Sequence, residues 1–580
     1  MLHPLPVPLP VPVPGPTGAP ARRPVVWTIA GTDSGGGAGI QADTRAFDAF
    51  GVHAACAVAA ITAQHSVAVT HIEPVAPSLL DAQLAALAED MPPDAIKTGL
   101  LGSVENLRVV VDWVRRLRAR GPDRPLALVV DPVFGATTGA PFADAALRAA
   151  YRDELLPLAT LATPNLAEAR ALVDDGARLD APELARAWRG FGVRAVAVTG
   201  GDADRLSADD LARPVDAQLR ERLAEIDARA GWACDWLDSA HGLPASGWLT
   251  SARVETPHNH GSGCVFAAAA AAALAHGFVA ADAVALAKMA TREGLRHAYA
   301  AGAGAGPVSP RAGFATRLDN LPTFGAPPAG PTRNANGPGF AAMPEHTRGL
   351  YAIVHSAQWV ARVLAAGVRV VQLRIKEATP QDLVREIRGA VALARAAHAT
   401  LIVNDHWALA LELGATGVHL GQDDLAGVDF AALRGAGLLL GVSTHSVLEV
   451  CRARALRPSY VACGPIHATA LKQMPWRPQG DANLAYWCRL LTGTPVVAIG
   501  GMDAPRARSA MLAGAWSVAV AGAIVRSERP AEAIADLRAA VAVDSADYRA
   551  GTGIADVPAL PRSTLGPLSP DPLRSSHAGC

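Results

Sequence analysis

The stretch Val368-Arg369-Val370-Val371-Gln372-Leu373-Arg374-Ile375-Lys376 decides the fold of the C-terminal half, because a β-branched run ends abruptly in polar and charged residues. A short apolar run of this kind reads as a buried strand, and its polar end marks where the chain leaves the core. Outward from it the pattern recurs. Candidate strands lie at Leu350–His355, Val368–Leu373, Leu401–Asn404, Gly417–Leu420, Leu438–Val442, Tyr460–Cys463, Val496–Ile499 and Ser517–Val520, separated mostly by helical stretches. Eight strand–helix units in about 200 residues outline a small (β/α)8, or TIM, barrel, with a doubly wound sheet as the competing arrangement.

A barrel collects its chemistry at the C-terminal ends of its strands. Strand two ends in Gln372–Lys376, whose Arg374 and Lys376 suit a diphosphate. Strand three ends in Asn404-Asp405 and strand four runs on to Asp424. The two aspartates make an oxygen site suited to Mg2+ beside substrate phosphates. Strand five ends in Ser443-Thr444-His445, and strand six leads through His467-Ala468-Thr469-Ala470-Leu471 to Lys472. Strands seven and eight end in Gly500-Gly501 and Ala521-Gly522, which fit a phosphate cup. Taken singly, solvated cations, a helix cap and ordinary turns explain these residues as readily. Their joint placement argues for a site.

The N-terminal half alternates strands and helices too, and its first strand, Val25–Ala30, runs into the glycine-rich stretch Gly31–Asp43. Glycines allow close backbone approach to a ligand. No Gly-Lys-Ser/Thr follows, so this is not a Walker A loop, and a tight turn is the plain alternative. Further on, His258-Asn259-His260-Gly261-Ser262-Gly263-Cys264 opens an alanine-rich helix. Its first turn would point unpaired N–H groups at a transferring phosphoryl group. Cys264 there is expected to have a lowered pKa and to serve as a base, against the alternative of a small cysteine packed under a helix.

The 580-residue chain is half hydrophobic and carries a formal net charge of −1, so two or three cores are expected and no field draws in nucleic acid or an anionic membrane. Seven scattered cysteines without Cys-x-x-Cys fit a reducing compartment, read as the cytoplasm. The longest apolar run, Cys264–Ala275, is too short to cross a bilayer, and the Pro-rich start lacks the features of a signal peptide. The expected layout is a disordered leader over 1–24, a domain over 25–320, a linker over 321–346, a domain over 347–545 and a disordered tail over 546–580. The segment 201–248 has no assignment.

The first half resembles hydroxymethylpyrimidine phosphate kinase, of the ribokinase-like α/β superfamily. The motifs are Gly31-Thr32-Asp33, Ala38-Gly39-Ile40-Gln41-Ala42-Asp43, Ala63-Gln64, Lys97-Thr98-Gly99, Asp131-Pro132-Val133, Asn165-Leu166-Ala167-Glu168 and Gly261–Cys264. The resemblance implies that Gly31, Asp43 and Gln64 bind the pyrimidine and that Asn165, Glu168 and Thr199 lie by Mg-ATP. It also implies that the Gly261-Ser262-Gly263-Cys264 turn stabilises phosphoryl transfer and supplies the base. Thr199 stands where the family often has lysine.

The second half resembles thiamine phosphate synthase, through Gln372–Lys376, Asn404-Asp405, Gly417–Asp424, Gly441–His445, Lys472-Gln473-Met474-Pro475 and Ala498–Gly501. By resemblance Gln372, Leu373, Arg374, Ile375, Lys376, Asn404, Ser443 and Lys472 bind pyrimidine diphosphate. Asp405 and Asp424 hold Mg2+, and Thr469, Ala470, Leu471, Gly501, Ala521 and Gly522 take thiazole phosphate. Arg374 and Lys472 would be catalytic, stabilising departing pyrophosphate. The expectation is a two-enzyme fusion acting on ATP, hydroxymethylpyrimidine phosphate and hydroxyethylthiazole phosphate, with homo-oligomerisation left open. The competing readings are a kinase fused to a non-catalytic thiazole- or thiamine-phosphate sensor, or to a thiazole tautomerase.

Overall fold

The computed structural model describes residues 22–121, 126–135, 142–174, 176–200, 231–240, 243–325, 339–469, 475–543 and 557–565. The N-terminal half is built on a mixed sheet of β1 (Val25–Gly31), β2 (His53–Gln64), β3 (Val69–Pro74), β4 (Ala95–Thr98), β5 (Ala127–Val130), β6 (Leu161–Ala162), β7 (Ala195–Val198), β8 (Trp232–Ser239), β9 (Ala245–Ala252) and β10 (Thr323–Gly325). Their spatial order is β10-β9-β8-β7-β6-β5-β4-β1-β2-β3. The central strands are parallel and buried on both faces, as helices on either side require. Four helices matter below: α1 (Gly39–Ala49), α2 (Leu166–Ala171), α3 (Ser262–Ala275) and α4 (Ala280–Arg296). Helix α3 is buried from Val265 to Leu274. Its run of alanines favours helix and lets neighbours approach on every side, so it is a central helix rather than an amphipathic one.

The C-terminal half closes into a barrel of eight parallel strands: β11 (Gly349–Val354), β12 (Val370–Leu373), β13 (Thr400–Asn404), β14 (Gly417–Leu420), β15 (Leu439–Thr444), β16 (Tyr460–Cys463), β17 (Val496–Ile499) and β18 (Ser517–Val520). β11 pairs with β18, so the competing open sheet is excluded. Of its outer helices, α5 (Val447–Leu456) and α6 (Gly480–Leu490) carry the argument. Among the described residues no helix is long and apolar enough to cross a membrane.

Three expectations change. The unassigned segment contributes the β8–β9 hairpin, which extends the sheet; residues 201–230 lie outside the described ones. The 321–346 stretch is no flexible linker where it is described. Thr323–Gly325 pairs with β9 as an edge strand, and Phe340 and Met343 are buried. Val557–Leu565 of the expected tail packs on the barrel, with the Arg562 amide donating to Asn483 Oδ1 at 2.8 Å and Leu565 buried. Isolated apolar residues inside Gly/Pro-rich sequence bring these segments down onto existing surfaces. The two halves therefore share one continuous core. Arg452 lies over the Phe324 ring at 5.3 Å, Arg454 donates to the Leu321 carbonyl, and the Tyr486 hydroxyl donates to the Ala315 carbonyl at 2.7 Å.

Candidate active sites

In the N-terminal half a cavity of about 500 Å³ opens at the strand ends, lined by Gly31, Gln64, Lys97, Asp131 and the Gly261–Cys264 turn among others. Asp33 organises its floor. Its carboxylate accepts from the Gly35, Gly37 and Ala38 amides at 2.8, 2.9 and 2.8 Å and lies 2.9 Å from His260 Nε2. Burial alone would raise its pKa, but His260 and those amides hold it below the usual carboxylate value. The two glycine loops nest into each other. Gly261 has φ +79°, and a Cβ there would sit 2.2 Å from the Gly37 carbonyl oxygen; a Cβ on Gly39 would sit 2.3 Å from that of Gly31. No side chain caps α3, so the amides of its first turn face the cavity end uncapped.

Two expectations on this site are corrected. Asp43 does not line the cavity. It lies on the buried face of α1 and bonds Thr28 Oγ1 at 2.5 Å and Lys97 Nζ at 3.0 Å. Helical spacing turns it inward with Ala42, Ala46 and Phe47. Cys264 does line the cavity, but its thiol is pushed up to about 12 rather than lowered. Burial dominates and the Asp131 and Asp43 carboxylates add to it, against the opposing Lys97 ammonium and the Gly39 amide. Asn165 and Glu168 line the cavity as a reciprocal cap on α2: Asn165 Oδ1 accepts from the Glu168 amide at 2.9 Å and Glu168 Oε2 from the Asn165 amide at 2.8 Å. Thr199 lines it too, bridged to Asn165 by backbone pairing.

At the barrel mouth, the pleat sorts the second site. Along β12, Val370 belongs to the barrel interior and Val371 and Leu373 to the outer core, so Gln372 turns inward. Leu373 and Ile375, expected among the residues that bind pyrimidine diphosphate, turn their side chains onto the outer core. Asn404, His419 and Ser443 share the inward phase of their strands with Ile402, Gly417 and Gly441. A hydrogen-bonded chain crosses the lumen: Gln372 Nε2 to Tyr351 Oη (3.1 Å), Tyr351 Oη to Tyr460 Oη (2.9 Å), Tyr460 Oη to His419 Nδ1 (3.0 Å) and His419 Nε2 to Ser443 Oγ (2.8 Å). Burial, then the Arg374 charge, pushes His419 down to about 4, so the ring is neutral and carries one proton. With Gln372 Nε2 facing Tyr351, one arrangement satisfies every donor. Gln372 donates to Tyr351, Tyr351 to Tyr460, Tyr460 to His419 Nδ1, and the proton on Nε2 goes to Ser443 Oγ. The reverse order would leave the Tyr351 hydroxyl proton without an acceptor in the chain, a costly state for a buried group. Ser443 is thereby left with its own proton to donate outward.

Asp405 sits at the end of β13 with φ +64°. Burial and then the facing Asp424 carboxylate raise its pKa, while Arg374 opposes them. Two carboxylates held together with one guanidinium nearby fit a divalent cation, which would relieve their repulsion. Lys376 is exposed. Gly501 (φ +66°) and Ala521-Gly522 lie at the ends of neighbouring strands β17 and β18, and Gly501 backs onto His467 and Ala468 of the loop after β16, which leads to Thr469. Ala470, Leu471 and Lys472 lie outside the described residues.

Residues 33–309 match the family model for phosphomethylpyrimidine kinase and residues 350–524 that for thiamine monophosphate synthase. A probable thiamine biosynthetic bifunctional enzyme, chloroplastic, of Oryza sativa subsp. japonica is 31% identical over 504 residues, covering 84% of this chain and 83% of the relative. The chain belongs to the bifunctional thiamine biosynthetic enzymes. It is an enzyme with an N-terminal kinase half and a C-terminal synthase half. The synthase half is 48% identical over 190 residues to the thiamine-phosphate synthase of Cronobacter sakazakii, covering 33% of this chain and 90% of that one. Among solved structures, a pyridoxal kinase from Staphylococcus aureus in complex with AMP-PCP and pyridoxal is 28% identical with a TM-score of 0.40, covering 50% of this chain and 94% of that one.

Several residues of these sites escaped the sequence. His260 stands one residue before the Gly261 turn, and only folding shows that it bridges Asp33 and Gln64, whose Nε2 lies 3.2 Å from the ring. Lys97 was legible as a motif residue but not as a fully buried cation. Burial opposes its charge, yet Asp43 and Asp131 hold its pKa well above the ordinary value. Tyr351 and Tyr460 read as strand residues, and their hydroxyls carry no signal in the sequence.

Proposed function

We propose that the kinase half transfers the γ-phosphoryl group of ATP to hydroxymethylpyrimidine phosphate. The synthase half then condenses the resulting diphosphate with hydroxyethylthiazole phosphate, giving thiamine phosphate and pyrophosphate. The observation that carries the reading is the convergence of Arg374, Asp405 and Asp424 at one barrel mouth, above the Gln372–Ser443 chain. A sensor or a tautomerase has no diphosphate to ionise and no use for that set.

In the kinase half, Gln64, Gly31 and His260 would hold the pyrimidine, and Asn165, Glu168 and Thr199 would lie by the nucleotide. The first turn of α3, including Gly261 and Gly263, would meet the transferring phosphoryl group with its amides. Cys264 rests as a thiol donating to Asp131. To act as base it would pass that proton to the Asp131 carboxylate while its sulfur takes the proton of the substrate hydroxyl.

In the synthase half, Gln372, Asn404 and Ser443 would orient the pyrimidine, while Arg374, Lys376 and Lys472 would bind the diphosphate. Asp405 and Asp424 would hold Mg2+, which would supply neutralisation of charge on the diphosphate. The bond between the pyrimidine methylene carbon and the diphosphate oxygen breaks, its electron pair leaves with pyrophosphate, and the thiazole nitrogen supplies the pair for the new bond. Thr469, Gly501, Ala521 and Gly522 would seat the thiazole phosphate. A cytoplasmic location belongs to the same proposal, supported by the six described cysteines all being free thiols. The test is a one-pot assay of the whole chain with hydroxymethylpyrimidine phosphate, ATP, hydroxyethylthiazole phosphate and Mg2+. Thiamine phosphate is expected, and ADP release without pyrophosphate would remove the synthase assignment.

A further inference from the structure

We infer that Asp282, a residue of the kinase half, is a positioning residue for the synthase reaction, holding the β15–α5 turn that presents Ser443. The inference rests on the synthase reading above. Asp282 lies in the first turn of α4, where it is 1% exposed, and it points out of the kinase half into the N-terminus of α5. Its Oδ1 accepts from the Leu448 amide at 2.8 Å, and the Val447 amide and Ser446 hydroxyl also bond its carboxylate. These are the first N–H groups of α5, which an isolated barrel would leave to water. The barrel alone spans 90% of the Cronobacter sakazakii synthase, so that protein has no kinase half to supply this carboxylate.

The contacts lead from Asp282 to the site in short steps. Ser446 Oγ also accepts from the Glu449 amide, and Glu449 Oε2 accepts from the His445 amide at 2.7 Å and lies 2.8 Å from His445 Nδ1. His445 is stacked on Trp476 at 5.0 Å between ring centres, and its carbonyl accepts from Thr564 Oγ1 at 2.7 Å. Ser443, two residues before His445, bonds His419 through its hydroxyl, and its carbonyl accepts from Gln422 Nε2 at 2.7 Å. The turn is thus tied to two segments that lie outside the matched synthase region: the kinase half and the C-terminal segment. A carboxylate buried between domains without a cation among its bonding partners has no evident gain except the amides it orders.

The test uses the full chain with separate assays: pyrophosphate release from supplied pyrimidine diphosphate and thiazole phosphate, and ADP release by the kinase half. Unaltered protein that releases no pyrophosphate removes the synthase assignment itself, before any variant is read. Assayed at about pH 8.5, where Asp282 is ionised, Asp282→Ala is expected to raise KM for the pyrimidine diphosphate roughly tenfold, the size of one lost charge-assisted hydrogen bond. KM for thiazole phosphate and the kinase constants should stay unchanged. Asp282→Asn keeps one acceptor oxygen and should leave only about a threefold rise, as for a neutral bond. Unchanged synthase constants in the alanine variant overturn the inference, as does a parallel loss in both substrates and in the kinase. If the alanine chain does not accumulate, the asparagine variant decides: a selective rise in the one KM supports the assignment and no change ends it.

Discussion

Replacing Tyr460 by phenylalanine removes one oxygen from the middle of the lumen chain and little else. The ring keeps its stacking on His419, 5.6 Å away at 21°, and its edge contact with Tyr351. Two bonds go, those of 2.9 Å to Tyr351 and 3.0 Å to His419 Nδ1, leaving a buried hydroxyl and a ring nitrogen unpaired. At about 1–2 kcal/mol for each stranded group, the barrel should lose roughly 2–4 kcal/mol of stability. The functional loss is separable, because without Tyr460 nothing fixes the His419 proton on Nε2. When it moves to Nδ1, Ser443 must donate to His419 and no longer to substrate. One misdirected hydrogen bond of about 1.5 kcal/mol corresponds to roughly a tenfold fall in kcat/KM. The assay is pyrophosphate release with ADP release as internal control, and nitrogen NMR of the His419 ring reports the tautomer. Wild-type kcat/KM alongside a lowered unfolding midpoint would refute the proton arrangement, leaving the chain a purely structural device.

Four other outcomes are expected. Cys264→Ala should lower kinase kcat by on the order of a hundredfold or more while pyrimidine binding stays nearly intact, and an unchanged kcat removes the thiol from the mechanism. Gly261→Ala places a Cβ 2.2 Å from the Gly37 carbonyl at φ +79° and should abolish kinase turnover, read against intact pyrophosphate release from the barrel. Asp405→Asn should raise the Mg2+ concentration for half-maximal synthase rate at least roughly tenfold, measured by titration after chelator treatment. For Asp282, burial and the facing Glu449 carboxylate outweigh the Leu448, Ser446 and Val447 donors, so its pKa is pushed from 3.8 to about 7. The folded chain then holds a proton that the unfolded chain has lost, and stability should fall by about 4 kcal/mol as pH rises through that window. Asp282→Asn should flatten the slope in denaturant midpoints between pH 4 and 7; an unaltered slope excludes Asp282 as its source.

Much was legible without coordinates. The eight runs read as barrel strands correspond to β11–β18 with end shifts of a residue or two, because strands buried on both faces must be continuously apolar. The glycine loops were legible as well, since glycine after a strand or before a helix marks backbone that must approach something closely. What a motif could not reveal was direction. Asp43 and Cys264 stand in motif positions, yet helical phase turns Asp43 away from the cavity, and enclosure beside two carboxylates raises the Cys264 thiol instead of lowering it. Gly441 read as an ordinary strand residue, but a Cβ there would lie 2.1 Å from Tyr460 Cζ, so its value is the room it leaves for the ring.

Composition also misled where single apolar side chains sat among Gly, Pro and Ser. Leu321, Phe324, Phe340 and Leu565 looked like linker and tail, and they are buried. Local sequence determined the strands, the helices, the glycine-rich turns and the order of the two enzymes, because each depends on spacing along a few neighbouring residues. Tertiary structure alone decided which side chains meet across the lumen, what state their protons take, and how Asp282 of one half comes to cap a helix of the other. Those properties depend on distance and burial between residues far apart in the chain, and such pairs leave no periodic trace in either segment.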